Sequence, residues 1–255
     1  MNYNRHEYYK SSLPIDPRQD DIYIGEFPKS GITWLSFIIG NIFLQIDNKN
    51  EFMTFFNHTM NIYEIDTINN YKMFIGKSIK RRIIKTHSFY NPYYLSIIYM
   101  IRNPFDVMIS YYNFSKNLGY EGDFAKFVKH KKYGIYAWKN HVDSWTNQPK
   151  DPVIIHLLKY EDLIEDTFLE IKNIILNLGI NINDDIIKNA IKLSSIENMK
   201  YSEEFYRKYN PNYKISFVGK HGKISKEELL TNEIKRYILK EAKEIIERFY
   251  PSLLI

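Results

Sequence analysis

The 255-residue chain contains no cysteine. That excludes disulfides and thiolate metal sites, and it fits a reducing compartment. No apolar run approaches the ~20 residues that a membrane span needs. The longest, Trp34 to Ile46, is interrupted by Ser36, Gly40, Asn41 and Gln45. The first 20 residues are polar and tyrosine-rich and lack the apolar stretch of a secretory signal. No repeat, low-complexity linker or Pro/Gly-rich hinge divides the chain. Strong charge of one sign is also missing. A net charge of +5 suits an anionic ligand but not the dense basic stripes of a nucleic-acid binder. The one compact basic run, "KHKKYG" at 129–134, reads as a solvated helix end. Together these absences predict a single domain over residues 1–255, cytoplasmic and without a membrane span, with residues 1–20 as an N-terminal arm.

What is present is apolar and aromatic, at 44% and 16% of residues, enough for a sizeable core. Strand-like runs alternate with helix-like ones. "IYIGEF", "RRIIKTH", "LSIIYMIRN" and "DPVIIHLLKYEDL" read as short buried strands. "TWLSFIIGNIFLQI", "FDVMISYYNFSKN" and "TFLEIKNIILNLGI" read as helices, the last stopping at Gly179. "FAKFVKHKKYGIYAWKNHVDSW" reads as a helix in two parts around Gly134, and "LTNEIKRYILKEAKEIIERFY" as one C-terminal helix. This alternation predicts an α/β fold: one central parallel sheet flanked by helices, with a P-loop-like nucleotide-binding architecture. In such sheets ligands gather at the carboxyl ends of the strands. The polar residues at those ends are Lys29 and Ser30, Lys85 to His87, Arg102 and Asn103, and Tyr160 and Glu161.

The stretch "PKSGIT" at 28–33 lies between a strand and a helix. The first amides of a helix have no intrahelical partner, and the helix dipole adds positive charge. Gly31 lets the backbone approach an anion, Lys29 adds a charge, and Ser30 and Thr33 add hydroxyls. Gly25 and Lys29-Ser30 fall near the Walker A spacing, but Pro28 stands where that motif has glycine. An ordinary βα turn with an exposed lysine is the alternative. "YMIRNPFDVMISYYNF" repeats the strand–turn–helix pattern, with Arg102 at the strand end, Asp106 in the first helical turn and Ser110 eight residues beyond Arg102. Arginine binds phosphate bidentately. Two phosphate-type sites on one sheet suggest a ligand with two separated phosphates. "RRIIKTHSFY" ends a strand on His87, with Lys85 two residues earlier. Histidine is the usual base for a hydroxyl proton near neutral pH, although a lone histidine is often structural.

These pieces together resemble the cytosolic-type sulfotransferases, which use PAPS (3′-phosphoadenylyl sulfate) as sulfuryl donor. The resemblance rests on "PKSGITW" at 28–34, "KTH" at 85–87, "RNPFDVMISYY" at 102–112, "WKNHVDSW" at 138–145 and "YED" at 160–162, in that order. It implies that Lys29, Ser30, Gly31, Ile32, Thr33 and Trp34 hold the 5′-phosphosulfate, with Trp34 stacked on the adenine. It further implies that Arg102 and Ser110 bind the 3′-phosphate and that Tyr160 and the segment around Ser194 contact the adenine. His87 would be the general base, Lys29 would neutralise the leaving diphosphate, and Lys85 would face the transferred sulfuryl group. Ser110 would belong to both the donor site and the catalytic set. No metal is implied.

Two departures stand out. The family's R-K-G-x-x-G-D-W-K loop over the 3′-phosphate aligns with "FVGKHGKISKEE" at 217–228, where Lys220, His221 and Gly222 stand for R-K-G and the D-W pair is missing. His221 thereby becomes a rival to His87 as base. Ile32 stands where the family has threonine. An ATP-dependent kinase on the same scaffold, or an inert nucleotide-binding module, are the competing readings. The acceptor is expected to be a small alcohol or phenol, or a carbohydrate, lined by residues 1–20, 51–77 and 117–124. The aromatics Phe52, Phe55, Phe56, Tyr63 and Tyr71 supply either that pocket or more core.

Overall fold

The computed structural model describes residues 12–14, 16–47, 51–58, 63–64, 81–147, 154–213, 216–218 and 226–254. Among these residues, five parallel strands form one sheet in the order β2-β3-β1-β4-β5. They are β1 (Ile22–Glu26), β2 (Tyr63–Glu64), β3 (Ile83–Thr86), β4 (Ile97–Ile101) and β5 (Ile154–Lys159). Runs rich in isoleucine suit the pleat and bury on both faces. β1 lies between β3 and β4, with Ile24 level with Lys85 on one side and Ile98 on the other. The ends of β1, β3 and β4 therefore meet, which brings the three polar termini together.

Alternation along each strand feeds two cores. Tyr23, Ile97, Tyr99 and Ile101 join one with Trp138 and Trp145. Ile22, Ile24, Ile98 and Met100 join the other with Leu35, Ile38 and Ile171. The second core is built on α1 (Ile32–Ile46), α6 (Thr167–Asn177) and α7 (Asp184–Leu193). The first is built on α2 (Pro104–Asn117), α3 (Phe124–Lys129) and α4 (Ile135–Thr146), and on α10 (Asn232–Glu241) and α11 (Lys243–Phe249) near the C-terminus. α5 (Tyr160–Glu165) and α8 (Ile196–Tyr209) add Leu163 and Met199 to the second core, and α9 (Lys226–Leu229) adds Leu229 to the first. Side chains of Asn103, Asp123, Asp166, Asn183, Ser195 and Thr231 cap helix starts by accepting backbone N–H bonds.

Three expectations change in detail. Among the described residues β5 pairs only with β4, which makes it an edge strand, and Leu157 on it is exposed. Tyr160 to Asp162 form the first turn of α5 rather than a strand end. The expected single C-terminal helix is two helices broken at Ala242 (φ −111°, ψ 20°). The break lets Ile245, Ile246 and Phe249 reach the core already filled by Ile234 and Ile238. α7 and α8 have no counterpart in the sequence reading. Their polar faces are wide, and only Ile187 and Ala190 of α7 and Met199, Ser202 and Glu203 of α8 are buried. No helix among the described residues is long and apolar enough to cross a membrane.

Candidate active site

The loop from β1 to α1 is tightly wound. Lys29 has φ 76° and Gly31 has φ 121°, both in the left-handed half of the map. Gly31 is required there: a Cβ would meet the Tyr160 ring at 2.5 Å. Ser30 is fully buried and its hydroxyl donates to the Phe27 carbonyl at 2.8 Å. This corrects the expectation of a ligand-facing hydroxyl, since the serine closes the turn instead. Ile32 is buried and begins α1, and Thr33 and Trp34 in its first turn are half-buried. Lys29 lies over the rings of Phe114 (4.5 Å) and Phe217 (5.3 Å). Burial pushes its pKa down, Glu26 opposes that, and Arg102 adds to it.

Glu26, the last residue of β1, is 2% exposed. Its Oε2 accepts the Ile32 N–H at 2.7 Å. Burial raises its pKa, against the pull of His87, the Ile32 amide, Lys85 and Lys29. His87 follows β3 and is partly exposed. Its Nδ1 lies 3.3 Å from the Glu26 carbonyl and 3.9 Å from the Glu26 Oε1. Lys85 is buried on β3 beside Glu26. Behind His87 stands His141 of α4, whose Nε2 donates to the carbonyls of Ser88 (2.9 Å) and His87 (3.2 Å). Carbonyls only accept, so Nδ1 of His141 carries the lone pair and takes the Tyr99 hydroxyl at 3.0 Å. Burial first, then the neighbouring His87, pushes the His141 pKa down to about 3. The ring is neutral and holds the backbone that carries His87.

Arg102 follows β4 and lies against the β1–α1 loop. Its guanidinium lies 4.2 Å from the Tyr160 ring centre and Nη1 donates to the Lys29 carbonyl at 3.3 Å. Its buried Nε has no hydrogen-bond partner among the described residues. The turn is fastened by Glu161, which accepts the Asn103 N–H (2.9 Å) and the Tyr250 hydroxyl (3.0 Å). Trp34 meets Tyr160 edge-on at 6.3 Å and donates from Nε1 to the Ser194 carbonyl at 3.1 Å. Ser194 itself is fully buried, and its hydroxyl accepts from Asn41 at 2.9 Å. It positions Trp34 rather than facing a ligand, a correction to its expected contact. Ser110 is half-buried, two turns along α2. Lys220, His221 and Gly222 lie outside the described residues.

A family model described as the sulfotransferase domain matches residues 19–251. The chain belongs to the sulfotransferase family. It is 31% identical over 213 residues to sulfotransferase 1E1 of Cavia porcellus, covering 76% of this chain and 70% of that protein. Identity to the Homo sapiens sulfotransferase 1E1 is 31% over 211 residues, covering 76% and 71%. In fold it is similar to retinol dehydratase in complex with androsterone and the inactive cofactor PAP, with a TM-score of 0.67 at 15% identity over 95% of this chain and 86% of that one.

In this sulfotransferase Lys29, Lys85 and His87 lie around Glu26, and Arg102, Tyr160 and Trp34 adjoin the loop that holds Gly31. Sequence reasoning missed Glu26, His141 as the support of His87, and Glu203. A carboxylate ending an apolar strand just before "PKSG" was the available signal for Glu26. Glu203 sits on α8 and accepts from the Phe217 N–H (2.5 Å), the Ser216 hydroxyl (3.2 Å) and Arg207 Nη2 (2.9 Å). It ties down the segment that places Phe217 over Lys29.

Proposed function

We propose that this sulfotransferase moves a sulfuryl group from PAPS to the hydroxyl of a small apolar ring compound, with His87 as general base. One observation carries the donor reading. Lys29 and Arg102 meet at the β1–α1 loop, Arg102 keeps a buried Nε without a described partner, and aromatic rings flank both cations. Two cations placed against their mutual repulsion suit a ligand with two anionic groups. The α1 amides, Lys29 and Thr33 would hold the 5′-phosphosulfate, and Arg102 with Ser110 the 3′-phosphate. Trp34 and Tyr160 would flank the adenine. When bound, the donor supplies an activated sulfur whose leaving group is a stable diphosphate.

The chain's own residues supply the remainder. The Glu26 carbonyl can only accept, so it selects the tautomer of His87 with the proton on Nδ1. Nε2 then carries the lone pair that takes the acceptor's proton. Lys85 and Lys29 bring positive charge to a site whose negative charge grows during transfer. Phe89, two residues past His87, is exposed and tilts against the His141 ring at 5.6 Å. It offers an apolar surface beside the base, which suits an acceptor of the kind represented by androsterone.

The test is calorimetric titration with adenosine 3′,5′-diphosphate (PAP), 5′-AMP and ATP, on wild type and Arg102→Ala. PAP should bind far more tightly than AMP, and Arg102→Ala should remove ~2 kcal/mol of that preference, as loss of a charged hydrogen-bonding partner does. Tighter binding of ATP, dependent on Mg²⁺, would replace this reading with a kinase.

A further inference from the structure

We propose that Glu26 and the donor compete for the same backbone amide, so that Glu26 limits donor affinity and donor binding takes up a proton. The inference rests on the donor reading given above. The Ile32 N–H begins a 15-residue helix and is one of the amides assigned to the donor's phosphosulfate. Glu26 Oε2 already accepts from it at 2.7 Å, from a position that is 2% exposed. A carboxylate and a phosphosulfate share one donor group only at the cost of anion–anion repulsion in a poorly solvated place. Protonating the carboxyl removes the charge and frees the amide, since a carboxylic acid can turn its O–H toward a phosphate oxygen.

The surroundings make the proton accessible energetically. Burial already biases Glu26 toward its neutral form. The groups facing it are Lys29 from the loop, Lys85 and His87 from β3 and its end, and Tyr99 from β4. The three basic groups favour the charged carboxylate, and an incoming anion draws them toward itself instead. The sign follows. A bound anion raises the carboxyl's affinity for protons. Between the pKa without donor and the higher pKa with donor, binding therefore takes up a proton, and affinity falls as pH rises through that window. No covalent change is involved, and bulk water supplies the proton.

The experiment titrates the full chain with PAP at pH 6, 7 and 8, in two non-phosphate buffers of different ionisation enthalpy, which counts protons directly. Wild type should take up protons and lose affinity toward pH 8. Glu26→Gln keeps a side-chain acceptor for Ile32 and removes the charge. It should bind PAP about tenfold more tightly at pH 8, with the gap narrowing at pH 6 and with less proton uptake. His87→Gln should retain the Glu26-dependent uptake. A Glu26→Gln protein with wild-type affinity and proton count, or with weaker binding, overturns the inference. So does a wild type that binds PAP with no proton uptake, a result that stands even if the variant misfolds. A wild type that does not bind PAP overturns the donor reading, and this inference with it.

Discussion

At the scale of single residues, small features decide whether the site exists. Gly31 combines φ 121° with a Tyr160 ring where a Cβ would be. Gly31→Ala should cost about 1–3 kcal/mol of stability through backbone strain and displacement of Tyr160. It should also abolish PAP binding, and thermal unfolding with calorimetry checks both. His141 is neutral in the fold because burial pushes its pKa down to about 3, against an ordinary value of 6.5. The unfolded chain therefore binds one more proton than the folded one between those values. Stability is lost as pH falls below about 6.5, by up to ~1.4 kcal/mol per pH unit from this residue. His141→Asn should flatten that acid slope in urea titrations at pH 4–7, while lowering stability at pH 7.

At the scale of elements, three strand ends and one helix start frame the proposed site, and α8 fastens the 216–218 segment beside it. Glu203 is 2% exposed and bonds to Ser216, Phe217 and Arg207. Glu203→Ala leaves the Phe217 and Val218 amides, the Ser216 hydroxyl and an arginine without that acceptor. The expected cost is about 2 kcal/mol. PAP affinity should fall about tenfold, because Phe217 loses its placement over Lys29; calorimetry on the folded variant reads it. Unchanged affinity would show that the 216–218 segment does not shape the donor site.

At the scale of the whole molecule, the sheet separates two cores and joins them mechanically. Trp145 is fully buried, stacks on Tyr99 at 4.9 Å and donates to the Ser88 carbonyl at 3.1 Å. It thus links one core to the backbone that carries His87. Trp145→Ala should cost about 3–5 kcal/mol, as large aromatic truncations do. Unfolding should remain a single transition by circular dichroism and fluorescence, since both cores need the same strands. Separate transitions would mean that the two faces fold independently.

The α/β class, the parallel strands and most of the convergent residues were legible because strand-like runs end in polar residues at a fixed place in the pattern. Isoleucine-rich runs declare buried strands, and "PKSG", "KTH" and "RNP" mark where each one stops. α8 escaped because few of its residues are buried, which weakens the periodic signal; α7 was passed over although Ile186, Ile187, Ala190 and Ile191 recur on one face of it. Gly25 shows the difference well. Spacing alone connected it with a phosphate loop, whereas in the fold a Cβ there would meet the Trp145 indole at 2.7 Å. Its lack of a side chain answers to packing across 120 residues of chain. The sequence by itself determined which segments are strands and which residues end them, since both follow from local pattern. Tertiary structure alone decided that Glu26 meets the Ile32 amide and His87, that Ser30 and Ser194 face inward, and that His141 is neutral. Those outcomes depend on burial and on contacts between distant segments, and neither is a property of any one stretch of sequence.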